Sequence, residues 1–416
     1  MALTPAGTVA ALETAEAALA NPQDGAAGAA MRHSPPHAAR NRPVRIGLDV
    51  CSLTGSRTGI ANYIETLLAP LCEQQPDATF VLYSNGDGDF PTAANIVHRI
   101  SRPVRRGPIW HNTQLVRMLQ QDAIDVFWGT NGLIPLHGLG RTASVVTIHD
   151  LVHRYAPQTQ LAAVRWKQRV FQPLCARTAD RLVAVSRATA DDAAVHYGRE
   201  PDAVIAPVAR PAFGPVDPAA ADATLARLGV STPYLLTVGT LEPRKNILAL
   251  VEAYAACGAA GAALPPLVLA GGRGWSDARL RTLLAQPALA GRIRALGFVP
   301  TESLVHLYAR CHAFLMPSLY EGYGIPLLEA QLCRAPVVHG EHRSMVEAAG
   351  GVGVAVSPSP EGLRRALWDL AGGRLPLVSR LPATIDNDAA DAAGRLWRLM
   401  TDAWQAKLRR LARQLA

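Results

Sequence analysis

The sequence predicts an α/β protein built as two doubly wound domains facing each other across a cleft, with a final helix crossing back onto the first domain. Three observations predict it. Short apolar runs, often β-branched, alternate with segments of helical apolar spacing in two successive series, which is the pattern of parallel strands covered by helices on both faces. A stretch bearing several prolines separates the two series. The chain has 416 residues, 49% of them apolar, enough for two cores.

Residues 1–43 form an N-terminal extension in which Met1 to Ala20 reads as a loose helix and Asn21 to Arg42 as a flexible linker rich in small residues and proline. The first domain is expected over 44–210. Its strands are Val44–Val50, Thr79–Tyr83, Ile124–Trp128, Ser144–Ile148 and Arg181–Val185, and its helices are Ala61–Cys72, Thr113–Gln121, Leu161–Ala179 and Ala188–Tyr197. Residues 211–232, with Pro211, Pro215 and Pro218, read as a linker. The second domain, 233–385, alternates Tyr234–Val238, Ile247–Ala256, Pro266–Ala270, Asp277–Leu284, Ile293–Leu296, Glu302–Cys311, Ala313–Met316, Pro326–Cys333 and Pro336–His339, and its part from Glu361 to Arg380 looks shortened. Residues 386–416 are the crossing helix. Open sheets of this kind bind ligands beyond the C-terminal ends of their strands, so the cleft is the expected site.

Composition narrows the function classes. Lys plus Arg total 41 against 33 Asp plus Glu, a net charge of +8, which suits an anionic small molecule, an anionic membrane face or a merely solvated basic surface. The densest basic stretches, Arg99 to Arg106 and Lys407 to Arg413, come without zinc-finger spacing or an RNA-binding motif, so no nucleic acid is expected. Six cysteines with no Cys-x-x-Cys pair read as small hydrophobes of a reducing, cytoplasmic chain. No apolar run is long enough to span a bilayer, and the first residues lack the form of a secretion signal.

Four segments carry chemistry. In Ser318-Leu-Tyr-Glu321-Gly322-Tyr323-Gly324-Ile325-Pro326-Leu-Leu-Glu329, a strand turns on two glycines into a helix whose first turn holds a proline. Such a helix start presents free N–H groups and a positive dipole end, which suit a diphosphate. Glu329 lies ~6 Å along the helix from Ile325 at ~1.5 Å per residue, so Glu321 and Glu329 can serve opposite ends of an extended ligand. In Val238-Gly239-Thr240-Leu241-Glu242-Pro243-Arg244-Lys245-Asn246, two cations sit where a helix begins, against the dipole's preference; a leaving diphosphate would be stabilised by them without a metal. The loop Gly55-Ser56-Arg57-Thr58-Gly59-Ile60 departs from Gly-x-Gly-x-x-Gly, which argues against a dinucleotide oxidoreductase. His149, ending an apolar strand, is either a core histidine or a neutral hydrogen-bonding partner for a sugar hydroxyl; His149 and His153 lack the intervening Glu of a zinc-protease motif, so no metal is expected.

The Glu321–Glu329 segment, with Tyr308 to Ser318 before it, resembles the Glu-x7-Glu motif of the family-4 glycosyltransferases, which retain anomeric configuration and have the GT-B fold of two Rossmann-like domains. The resemblance covers roughly Val44 to Arg410. It implies that Glu321 contacts the donor sugar, Glu329 the ribose, and the amides of Gly324 and Ile325 the sugar or phosphate. Arg244 and Lys245 would hold the leaving diphosphate, although many members carry Arg where this chain has Thr240. The Arg57-Thr58-Gly59-Ile60 loop resembles a mannosyltransferase-like branch, with Thr58 and Gly59 bordering the donor diphosphate. His149 would lie beside the donor sugar and Val299, in Gly297-Phe298-Val299-Pro300, beside the nucleobase; Glu347 fits a family position. The implied activity is hexose transfer, with GDP-mannose the best donor, to a glycan or lipid-linked glycan in cell-surface polysaccharide biosynthesis. No cofactor beyond that co-substrate is implied. A peripheral membrane contact is open. Two rivals remain: a nucleotide-sugar 2-epimerase of the same fold, and a nucleotide-sugar-binding protein without turnover.

Overall fold

The computed structural model describes residues 42–55, 59–101, 107–272, 278–379, 381 and 387–415. The expected helix Met1–Ala20, the linker up to residue 41, and Arg57 and Thr58 lie outside the described residues. Residues 43–416 form one compact unit holding two sheets.

The first sheet has seven parallel strands: β1 (Arg45–Asp49), β2 (Thr79–Ser84), β3 (Ile96–Ile100), β4 (Val126–Gly129), β5 (Ala143–Ile148), β6 (Arg181–Ala184) and β7 (Ala203–Val204), in the order β3-β2-β1-β4-β5-β6-β7. The second has six: β8 (Leu235–Val238), β9 (Leu267–Ala270), β10 (Ile293–Gly297), β11 (Ala313–Met316), β12 (Val337–Gly340) and β13 (Val354–Val356), in the order β10-β9-β8-β11-β12-β13. Each sheet therefore reverses its winding once, between β1 and β4 and between β8 and β11. A ligand crevice forms at such points. The loops that leave β1, β4, β8 and β11 carry Asp49, Thr130, Gly239 and Ser318. The chemistry-bearing segments thus sit at the strand ends where topology opens a crevice.

Central strands are buried from end to end, as a two-sided parallel sheet requires: every residue of β4, β5, β9, β11 and β12 is buried. The last helix, Ala389–Leu415, inserts Ala392, Ala393, Leu396, Met400 and Ala403 into the core of the first sheet beside Ile46, Leu48 and Ile64. Lys407 pairs with Asp180 at 2.9 Å and Gln74 donates to the Ala390 carbonyl at 2.9 Å, so the helix crosses back as expected.

The linker reading of 211–232 is corrected. An 11-residue helix, Pro218–Leu228, occupies half of it. Pro218 stands in the first turn, where its missing N–H has no partner to lose; Asp217 caps the Ala219 and Ala220 amides, and Gly229 ends the helix in the left-handed conformation. A proline after Asp was a start signal there. Ser359 caps a further helix over Pro360–Ala371. The edge strand β3 escapes the sequence pattern because four of its five residues are exposed. The helix expected at Thr113 begins at Pro108 and passes through a π-turn over His111–Leu115.

Candidate active site

The turn after β11 is fixed by a packing demand. A Cβ on Gly322 would lie 1.6 Å from the His149 carbonyl oxygen, so only glycine lets the loops of the two sheets meet there. The Gly322 carbonyl accepts hydrogen bonds from Ser186 Oγ at 2.6 Å and Thr189 Oγ1 at 3.0 Å. Tyr320 stacks on Tyr155 with centroids 5.2 Å apart, and its hydroxyl accepts from the Leu151 amide. Across the same seam, Glu347 accepts from the amides of Arg187 and Ala188, capping the helix Arg187–Tyr197 of the other lobe, and Arg343 pairs with Asp191 and Asp192. The second lobe's turn is thus docked on the first lobe's strand ends.

Within this frame the sequence-predicted cations and Glu321 form one cluster. Both Arg244 and Lys245 sit in a single 3-10 turn, Pro243–Lys245, closed by Asn246 at φ 58°. The Arg244 carbonyl accepts from the Leu319 amide at 2.9 Å, tying the two donor-side loops together. The buried Glu321 carboxylate takes Arg244 Nη1 on one oxygen and Lys245 Nζ on the other, the latter at 2.6 Å. Burial alone would raise the Glu321 pKa; the two cations overturn this and hold it down at about 2. Arg244 loses solvation yet is held more firmly protonated by Glu321. Burial presses Lys245 below the ordinary lysine value, against the pull of Glu321. Two cations thus share the Glu321 carboxylate, and Glu242 lies 3.8 Å from Arg244 Nη2.

Glu329 lies one turn into the helix Ile325–Leu332, facing the other way. Its Oε1 is 3.5 Å from Arg210 Nη2 and its Oε2 lies 3.4 Å from the Tyr308 hydroxyl. Burial raises its pKa to about 7, with Arg210 only partly offsetting. Arg210 also donates to Thr301 Oγ1 at 2.5 Å and lies over the Phe213 ring, so it joins Glu329 to the loop carrying Gly297 (φ 71°) and the buried Val299. Sequence reasoning missed Arg210; it stands among prolines with no motif around it.

On the first lobe, His149 Nε2 lies 2.6 Å from the Thr130 carbonyl. A carbonyl can only accept, so Nε2 carries the proton. Burial lowers the His149 pKa, which leaves a neutral ring with Nδ1 as an acceptor, and Tyr63 packs edge-on at 5.1 Å. Gly59 opens the helix Gly59–Gln74, and its Cβ position is 3.6 Å from Ile325 Cδ1. Gly59 therefore lies against the start of the helix Ile325–Leu332, and a helix N-terminus such as that at Gly324-Ile325 suits an anion.

A second buried acid–base pair was not read from sequence. Asp49, at the end of β1, accepts from His111 Nε2 at 2.8 Å and from the Cys51 amide, and both side chains are buried. Burial works to raise the Asp49 pKa, but His111 and the Cys51 amide bring it below the ordinary value. The Asp49 carbonyl takes the Thr130 hydroxyl, and the Thr130 carbonyl takes His149, so the pair is two links from His149. His111 is 62 positions from Asp49, with no motif to join them.

Comparison with known proteins bears on the family and the fold. A family model described as Glycosyltransferase Family 4 matches residues 57–207, and one described as Glycosyl transferases group 1 matches residues 227–368. The O-antigen chain mannosyltransferase B of Escherichia coli is 44% identical over 126 residues, 30% of this chain and 33% of that protein. The serotype-specific mannosyltransferase WbdA of Escherichia coli is 28% identical over 212 residues, 46% of this chain and 25% of that protein. These matches thus span a third or less of either relative's length. A solved structure of WaaG, a glycosyltransferase involved in lipopolysaccharide biosynthesis, superposes with a TM-score of 0.63 at 17% identity, covering 87% of this chain and 98% of WaaG.

Proposed function

The chain belongs to the glycosyltransferases that join a family 4 domain to a group 1 domain, and from that premise we propose that it moves a hexose, mannose from GDP-mannose, onto a glycan or lipid-linked glycan acceptor with retention of configuration. The setting would be cell-surface polysaccharide biosynthesis, on the cytoplasmic side of the membrane. The likeness to O-antigen mannosyltransferases supports mannose and that setting. Among the described residues no helix is long and apolar enough to cross a membrane.

The observation that carries the reading is the Arg244–Lys245–Glu321 cluster in the turn that leads to the helix start at Ile325. When the bond between the sugar carbon and the diphosphate oxygen breaks, negative charge accumulates on the departing nucleoside diphosphate. Glu321 holds both cations in place beforehand, so their field requires little reorganisation when that charge appears. The acceptor oxygen bonds to the sugar carbon on the same face, and its proton passes to the departing phosphate oxygen. His149 Nδ1 accepts a hydrogen bond from a donor-sugar hydroxyl. Glu329 and the Val299 loop hold the nucleoside end.

The test is incubation of the protein with labelled nucleotide sugars and a detached glycan acceptor, with and without EDTA. Acceptor-dependent release of GDP from GDP-mannose that survives EDTA is expected. Isomerised donor without acceptor would make the chain an epimerase, and binding without turnover would remove the enzymatic reading.

A further inference from the structure

We propose that the first two turns of the helix Ala162–Thr178 dock on an anionic lipid bilayer. The inference begins with a charge pattern. Between Asp150 and Asp180 there is no acidic residue, whereas Arg154, Arg165, Lys167, Arg169 and Arg177 all fall there. In a chain with 33 acids this is a long acid-free stretch. Its centre is the helix start Leu161 to Arg169, which stands out from the first lobe. Leu161, Ala162, Ala163, Val164, Trp166 and Arg169 are all exposed, although consecutive helical residues point around the whole axis.

The exposed set is apolar at its tip. Trp166 is 63% exposed, Leu161 58% and Val164 38%. Lys167 continues the patch toward Ile109, itself 48% exposed: its Cδ lies 3.8 Å from the Cβ position of Gly107, two residues before Ile109. An indole flanked by cations on a projecting helix is the arrangement that enters the headgroup layer. Trp sits with its apolar body in the acyl boundary, and Lys and Arg keep their heads at the phosphates. Charge complementarity selects an anionic bilayer over a neutral one.

The position suits the acceptor. The same segment starts at His149 in the site and runs through Tyr155, stacked on Tyr320 next to Glu321, before reaching the helix. A lipid-linked glycan would enter the cleft from the bilayer that this helix touches. That clause rests on the reading of a lipid-linked acceptor; the docking does not.

The full chain should cosediment with vesicles of phosphatidylcholine and phosphatidylglycerol and stay in solution with phosphatidylcholine alone. Trp166→Ser should weaken that binding roughly tenfold. Lys167→Gln with Arg169→Gln should weaken it roughly thirtyfold at low salt. Both variants should keep wild-type transfer to a detached, water-soluble acceptor. Wild-type protein that ignores the anionic vesicles, variants that bind like wild type, or a concentration-dependent dimer abolished by Trp166→Ser without vesicle binding would each overturn the proposal. Residue-dependent vesicle binding by a chain that transfers no sugar would leave the surface standing and remove only the transferase reading.

Discussion

The two lobes each bury a carboxylate at the end of a strand beside the winding reversal, Glu321 after β11 and Asp49 at the end of β1, and they balance it differently. Glu321 meets two cations, Arg244 and Lys245, and Glu242 lies 3.8 Å from Arg244 at the more exposed edge of the cluster. Asp49 meets no Lys or Arg among its hydrogen-bond partners, only the His111 ring and the Cys51 amide. The difference follows the work each side is proposed to do. A departing diphosphate is stabilised by preorganised cations, while an acceptor hydroxyl and a neutral imidazole need rigid placement. Buried ion pairs are weak evidence of stability in themselves, so the charge count is more informative than the presence of a pair.

The comparison can be broken first at Glu321. Glu321→Gln leaves two cations with little solvent and only the partly exposed Glu242 near Arg244 as counter-charge, and kcat should fall about a hundredfold as they lose alignment. Stability should fall by about 3 kcal/mol, because removing one partner of a buried ion pair leaves the other charge uncompensated. The wild-type contribution has a defined pH sign. With a folded pKa of about 2 against an ordinary 4.5, it is fully present above pH 4.5 and lost as pH falls through 2, and the variant should lack that loss. Melting curves against pH, alongside steady-state kinetics, check both.

A smaller effect is expected at the other carboxylate. His111→Gln or Asp49→Asn should lower kcat about tenfold, through a looser Thr130 and His149, and leave the affinity for free nucleoside diphosphate unchanged. Calorimetric binding of GDP separates the two outcomes; a large loss of nucleotide affinity would place the pair on the donor side instead.

The smallest effect on kcat belongs to Glu329. Glu329→Gln should raise the donor KM several-fold and change kcat by less than about twofold, since ribose contacts alter little along the reaction. Its pH signature has the opposite sign to that of Glu321. A carboxyl raised from 4.5 to about 7 holds a proton in the folded state that the unfolded chain has released, so wild-type stability should decline as pH rises from 4.5 to 7. The variant should lose that decline, which amounts to about 3 kcal/mol at most. Parallel stability–pH curves for the two proteins would contradict the assignment.

What could be read in advance divides along the same line. Glu321, Gly322, Gly324, Ile325, Glu329, Arg244 and Lys245 lie in two short runs whose order, spacing and flanking glycines carry the local conformation, so the fold around them was legible, while the pairing of Glu321 with Arg244 and Lys245 was not. The parallel sheets were legible because buried strands read as unbroken apolar runs, and β3, with four exposed residues, was not. The Asp49–His111 pair and Arg210 were invisible because their partners come from distant, unrelated segments: nothing local marks a histidine 62 positions away as a counter-charge. The helix Pro218–Leu228 was misread by weighing proline as a breaker when its place after Asp217 made it a starter.

The central claim, that Arg244 and Lys245 stabilise the departing diphosphate, is tested most directly by the single-turnover rate of sugar transfer at saturating donor in Arg244→Ala and Lys245→Ala. Each removes a charge contact that strengthens as the bond breaks, so the rate should fall by about a hundredfold or more in each variant even when the site is fully occupied. Near wild-type rates in both, with only the donor affinity reduced, would mean that the cations merely bind the nucleotide and that the account of catalysis is wrong.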